Sequence, residues 1–76
     1  MKIQILGTGC PKCKQLTANA EQAVRELGIN AEIEKVEDIK EIVKFGVMIT
    51  PGLAVNGQVK AVGKVLSPEE IKKLLQ

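Results

Sequence analysis

The sequence predicts one small α/β domain running β-α-β-α-β-β-α. Three features predict it: a short β-prone run that stops at Gly7, apolar residues recurring at three- and four-residue steps just after it, and an Asn-Gly pair between two later β-prone runs. A chain of 76 residues is the size of one domain, spanning residues 1–76 without repeat, low-complexity segment or linker. At that size a core buries only about 60% of the surface that the unfolded chain exposes. Hydrophobic residues make up 45% of the chain and Phe45 is its one aromatic, so Ile, Val, Leu and Ala must fill the core.

Lys2 to Leu6 is the first strand, closed by Gly7-Thr8-Gly9. From Pro11 onward, Leu16, Ala20, Ala23, Val24 and Leu27 form the apolar stripe of a helix that stops at Gly28. Pro11 suits the first turn, where its missing N–H would have no intrahelical acceptor, and this sets Cys10 at the N-cap. Ile29 to Val36 alternates Ala31 and Ile33 with Glu32 and Glu34, the pattern of a second strand with one more exposed face. Asp38 and Glu41 make a capping-box-like start to a brief helix carrying Ile39, Ile42 and Val43 and ending at Gly46. A β-α-β order of this length favours parallel pairing with a right-handed crossover. After Thr50-Pro51, the runs 52–55 and 58–62 flank Asn56-Gly57, whose residues tolerate positive φ, so these strands form an antiparallel hairpin. Ser67-Pro68-Glu69-Glu70 combines an N-cap, a first-turn proline and a capping box before Ile71, Leu74 and Leu75, which gives a final helix.

A net charge of +2, lysines scattered among acids and the lack of stacking aromatics point away from nucleic acid. No apolar run approaches a membrane span, and Met1–Leu6 is too short for a signal-peptide core. The expected setting is therefore a reducing cytoplasm, where thiols serve chemistry or metal binding more often than structure. The two cysteines, Cys10 and Cys13, would close only a short loop if bridged, worth roughly 2 kcal/mol by chain entropy, and would cross-link nothing distant.

Gly9-Cys10-Pro11-Lys12-Cys13 at a strand-to-helix junction supplies what thiol exchange needs, because the thiolate attacks and its charge must be stabilised. Unpaired N–H groups of the first turn and the positive end of the helix dipole favour a Cys10 anion, with Lys12 and Lys14 as helpers. Cys13, one turn inside, is placed to attack a mixed disulfide on Cys10. Cys10 is then the nucleophile and Cys13 the resolving thiol. The rival from another class is a soft-metal carrier, in which two thiolates hold Cu(I). Ferredoxin-like metal domains, however, end on a strand, whereas this chain ends on a capped helix. Without histidine and with two cysteines, a tetrahedral zinc site would lack its usual ligands.

On Cys10-Pro11-Lys12-Cys13, Thr50-Pro51, the Asn56-Gly57 hairpin and Gly63 before the last helix, nearly the whole chain resembles the thioredoxin and glutaredoxin superfamily. It is most similar to the very short thioredoxin-like proteins called small redox-active disulfide proteins. The resemblance implies a four-stranded mixed sheet ordered 2-1-3-4 with helices on both faces, and a cis-proline facing the cysteines. It implies protein-disulfide reduction by a monomer without a bound cofactor, disulfide-containing proteins as substrates and a thioredoxin-reductase-type electron donor. Cys10 and Cys13 would be catalytic, Pro11 and Lys12 supporting, and Ile49, Thr50, Pro51 and Gly63 substrate-facing, with the backbone before Pro51 pairing with an extended substrate segment. Gly9 stands where typical thioredoxins carry tryptophan, and no acid in the first strand offers to accept the Cys13 proton. Lys12 and Gly63-Lys64-Val65 replace the tyrosine and acid common in glutaredoxins, so glutathione use is not expected.

Overall fold

The sheet is built outward from the N-terminal strand. The computed structural model describes residues 1–9 and 11–76, with β1 (Lys2–Leu6), α1 (Pro11–Leu27), β2 (Glu32–Val36), α2 (Ile39–Lys44), β3 (Gly52–Val55), β4 (Gln58–Val62) and α3 (Pro68–Leu75). The strand order is β2-β1-β3-β4. β1 pairs parallel with β2, placing Ile5 opposite Lys35 and Leu6 opposite Val36, and antiparallel with β3, placing Ile5 opposite Leu53. The mixed sheet and its order are those of the thioredoxin-like fold.

Alternation along β1 divides the core, because successive strand side chains leave on opposite faces. Ile3 and Ile5 join Leu53 and Val55 beneath α1 and α3, which contribute Leu16, Ala20, Ala23, Ile71 and Leu75. Leu6 points to the other face, where Ile42 of α2 and Val47 cover it, with Val36, Phe45 and Val59 packed around them. Aliphatic residues thus fill both layers, and the one aromatic lies at the margin of the smaller one. Gln4 shares Leu6's face but ends in a hydrogen bond, its Oε1 accepting from Gly57 N–H at 3.1 Å, so its buried amide is not left unsatisfied.

Asn56 and Gly57 have φ of 52° and 85°, the positive values that a two-residue hairpin loop requires. Ser67 caps α3 with a full capping box: its hydroxyl accepts from Glu70 N–H and Glu70 Oε1 accepts from Ser67 N–H, each at 3.2 Å. One boundary and one cap differ from the sequence expectation. β2 begins at Glu32 rather than Ile29, because its partner β1 starts at Lys2, opposite Glu32, and Glu32 N–H donates to Met1 O where the ladder begins. At α2, Asp38 accepts from Lys40 N–H at 2.9 Å, while Glu41 turns away from the cap to lie 3.4 Å from Lys44 Nζ.

Candidate functional site

The central position of β1 decides where the thiols fall. Its C-terminal end lies between β2 and β3, and Gly7 N–H donates to Val36 O at 3.0 Å before the chain crosses to α1. Cys10 lies outside the described residues, as do the N-cap position and nucleophilic role expected of it. Pro11 opens α1, and Lys12 and Lys14 are exposed on a first turn that carries no acidic side chain. Cys13 is buried, 4% exposed.

Gly7 brings this thiol and Thr50 to one point. A Cβ at Gly7 would overlap Cys13 Sγ and stand 3.8 Å from Thr50 Cβ, so the absence of a side chain is what lets the sulfur rest on the strand end. Thr17, one turn further along α1, donates its hydroxyl to Cys13 O at 2.9 Å, which satisfies a buried polar group without involving the sulfur.

The segment 48–51 forms the other side. The Thr50–Pro51 peptide bond is cis, as the resemblance implied. Pro51 is buried, and its carbonyl accepts from Gly63 N–H at 2.7 Å. Thr50 is exposed, and Ile49 and Met48 are 64% and 83% exposed. Gly63 has φ of +70°, which favours glycine, and a Cβ there would stand 3.0 Å from Cγ2 of exposed Ile49, which would have to shift by a few tenths of an ångström. Thr50 is therefore gathered with Cys13 around Gly7, Ile49 and Pro51 are gathered with Gly63, and Lys12 stands apart on the helix surface.

Two hollows flank this convergence. A cavity of about 90 Å³ lies beside Cys13, bounded by Gly7, Gly9, Lys14 and Thr17 and closed by Lys35 and Glu37 from the end of β2. Glu37 Oε2 reaches to 3.4 Å from the place a Cβ of Gly9 would occupy. Sequence reasoning missed both charged residues, and the signal that could have found them is the parallel register that sets Lys35 opposite Ile5. On the α2 side, a groove of about 310 Å³ runs between Thr8 and Thr50, walled by Ile39, Val43 and Met48. Among the described residues no helix is long and apolar enough to cross a membrane.

A buried cysteine sulfur on the first turn of α1, set against Gly7 near Thr50 on a β2-β1-β3-β4 sheet, defines a cysteine-bearing protein of thioredoxin-like fold. A thioredoxin-domain family model matches residues 1–76. A thioredoxin of Methanothermobacter thermautotrophicus is 55% identical over 75 residues, covering 99% of this chain and 97% of the relative. A thioredoxin of Methanocaldococcus jannaschii is 51% identical over 74 residues, covering 97% and 85%. A probable thioredoxin of M. thermautotrophicus is 32% identical over 57 residues, covering 71% and 67%. The chain belongs to the thioredoxin family, a family of thiol-disulfide oxidoreductases.

Proposed function

We propose that the chain reduces disulfide bonds of other proteins through a Cys10–Cys13 dithiol/disulfide cycle. The observation that carries this reading is the convergence at Gly7, where a buried thiol meets Thr50 of an exposed segment able to lie along a substrate chain. The Cys10 thiolate attacks one sulfur of the substrate disulfide, forming a mixed disulfide and releasing the other sulfur as a thiolate. Cys13, having lost its proton, then attacks the Cys10 sulfur and releases the second substrate thiolate. The substrate gains two electrons and two protons, and the chain holds a Cys10–Cys13 disulfide until a dithiol donor of the thioredoxin-reductase type reduces it.

The Cys13 proton has a path in this scheme. Glu37 and Cys13 line the same small cavity, so the carboxylate is the group placed to accept the proton and pass it to solvent or to the departing substrate sulfur. Ile49, Thr50, Pro51 and Gly63 hold the substrate segment, with Pro11 and Lys12 supporting the helix start. The proposed setting is the cytoplasm, as a monomer without cofactor.

The test is a pair of variants. Cys13→Ser accumulates a disulfide-linked partner on Cys10, visible on non-reducing gels and by mass spectrometry, while Cys10→Ser traps little and no longer reduces insulin. Two-thiolate Cu(I) carriage instead predicts equal loss of metal affinity in both variants and no asymmetry in trapping. Equal trapping by both variants, or undiminished insulin reduction by Cys10→Ser, would sink the redox cycle.

A further inference from the structure

The groove between β4 and α3 carries charge and apolar surface that neither the fold nor the thiol chemistry uses. It encloses about 560 Å³, and its rim includes Lys60, Lys64 and Lys73 around Val62 and Leu74. Both apolar residues are exposed, Val62 at 43% and Leu74 at 37%.

The lysines here differ from their neighbour on the same helix. Lys72, facing α1, is neutralised by Glu26 at 2.6 Å and Glu69 at 3.0 Å. Among the described residues, Lys60, Lys64 and Lys73 have no carboxylate within 4.0 Å. Among the described residues lining the groove the acid is Glu70, which is committed to the cap of α3: its bonds to the Ser67 backbone and hydroxyl hold its carboxyl below the ordinary range, with Lys64 and Lys73 adding to the effect. The rim therefore presents net positive charge around apolar surface.

The groove also continues the site of thiol exchange. Val62 pairs with Gly52, the residue after Pro51, and Gly63 N–H bonds Pro51 O at 2.7 Å. A partner whose disulfide lies at Thr50–Pro51 can extend across Gly63 into the groove. A second copy of this chain is a poor occupant, because two basic rims repel. The register shift between Leu53 and Ala54 leaves Lys60 unmatched in the β3–β4 ladder, a bulge and an edge lysine that both oppose edge-to-edge pairing.

We propose that the β4–α3 groove docks an acidic, apolar-containing segment of the protein whose disulfide the chain exchanges. This rests on the redox reading above and adds a partner chemistry to it. The lysines steer the acidic segment and set its register, and Val62 and Leu74 contribute the apolar contact.

The test uses two synthetic peptides with the same disulfide and linker, one ending in alternating Glu and Leu and the other in alternating Lys and Leu. The wild-type chain is expected to favour the acidic peptide in kcat/KM by about tenfold, a preference that shrinks with added salt. In a Lys60→Glu, Lys64→Glu, Lys73→Glu variant the ratio is expected to fall to one or below, with far-UV circular dichroism showing that the variant is folded. Fluorescence anisotropy with the labelled acidic segment alone, free of cysteine, reads docking even if the redox cycle is wrong. Docking lost on charge reversal supports the groove whatever the thiols do. A ratio near one in the wild type, a preference that survives in the variant, or a concentration-dependent dimer that masks the groove would overturn the proposal.

Discussion

Gly7 controls the site through what it lacks. A methyl group there would occupy the position of Cys13 Sγ, so Gly7→Ala must push α1 outward or turn the thiol to another rotamer. Overpacking of this kind costs about 1–3 kcal/mol. A Tm lowered by roughly 4 °C or more for each kcal/mol lost is the expected outcome in thermal unfolding. Because Cys13 is displaced from its resting place, the variant should also accumulate mixed disulfide, and an unchanged Tm with normal turnover would show that the sulfur packs elsewhere. In the proposed cycle Glu37, which lines the same cavity as Cys13, takes the proton of that cysteine. Glu37→Gln keeps the shape and removes the proton acceptor, so resolution of the mixed disulfide should slow by about ten- to a hundredfold near neutral pH. The defect should fade as pH rises, because hydroxide then removes the thiol proton without the carboxylate. Rapid acid quenching across a pH series separates this from a structural defect, which would persist at every pH.

At the scale of elements, short local devices add to the stability that burial of the two aliphatic layers supplies. Ser67→Ala removes the acceptor for Glu70 N–H and one half of the reciprocal box, and should cost about 1 kcal/mol, with Ser67→Asp recovering most of it. Urea unfolding of the three proteins measures this directly, and equal midpoints would show that Pro68 and the packing of Ile71 hold the helix start alone. Such devices were also the most legible part of the chain. In the α1 stripe, the Asn56-Gly57 turn and the Ser67 box, each residue lies within four positions of the next one in its pattern, so sequence spacing specifies them and the structure agrees. The start of β2 was not legible, because it depends on where a partner strand thirty residues away begins. Lys35 and Glu37 beside Cys13 escaped notice for the same reason: adjacency across a parallel pair is set by register, a long-range quantity that burial fixes only when the sheet closes. Gly63 is substrate-facing by resemblance, and its φ of +70° adds a backbone reason for glycine that sequence spacing does not reveal.

For the whole molecule, the exposed charges give stability a predictable dependence on pH. Glu26 has its carboxyl held below the ordinary 4.5, first by the hydrogen bond from Lys72 and then by one from Gln22. Glu70 is held below the same value by the Ser67 backbone and hydroxyl. Lys72 is raised above the ordinary 10.5 by its hydrogen bonds to Glu26 and then Glu69. A carboxyl that binds its proton less readily in the folded state stabilises the fold above its unfolded value, and that contribution is lost as pH falls through the folded value. Lys72 works in the opposite sense: its contribution is complete below 10.5 and is lost as pH rises through the folded value. Stability should therefore be level near neutrality, decline below about pH 4.5 and decline again above about pH 10.5. The Lys72–Glu26 contact joins α3 to α1, the helix that carries Cys13, so its loss also loosens the element that positions the thiol. Glu26→Gln should flatten the acid side of a Tm-versus-pH curve, and Lys72→Met should flatten both sides while lowering Tm near neutrality. Added salt should shrink these differences, because the pair is partly exposed and screened. If the acid slope of Glu26→Gln equals that of the wild type, the bridge contributes nothing across the α1–α3 contact, and apolar packing alone joins the two helices.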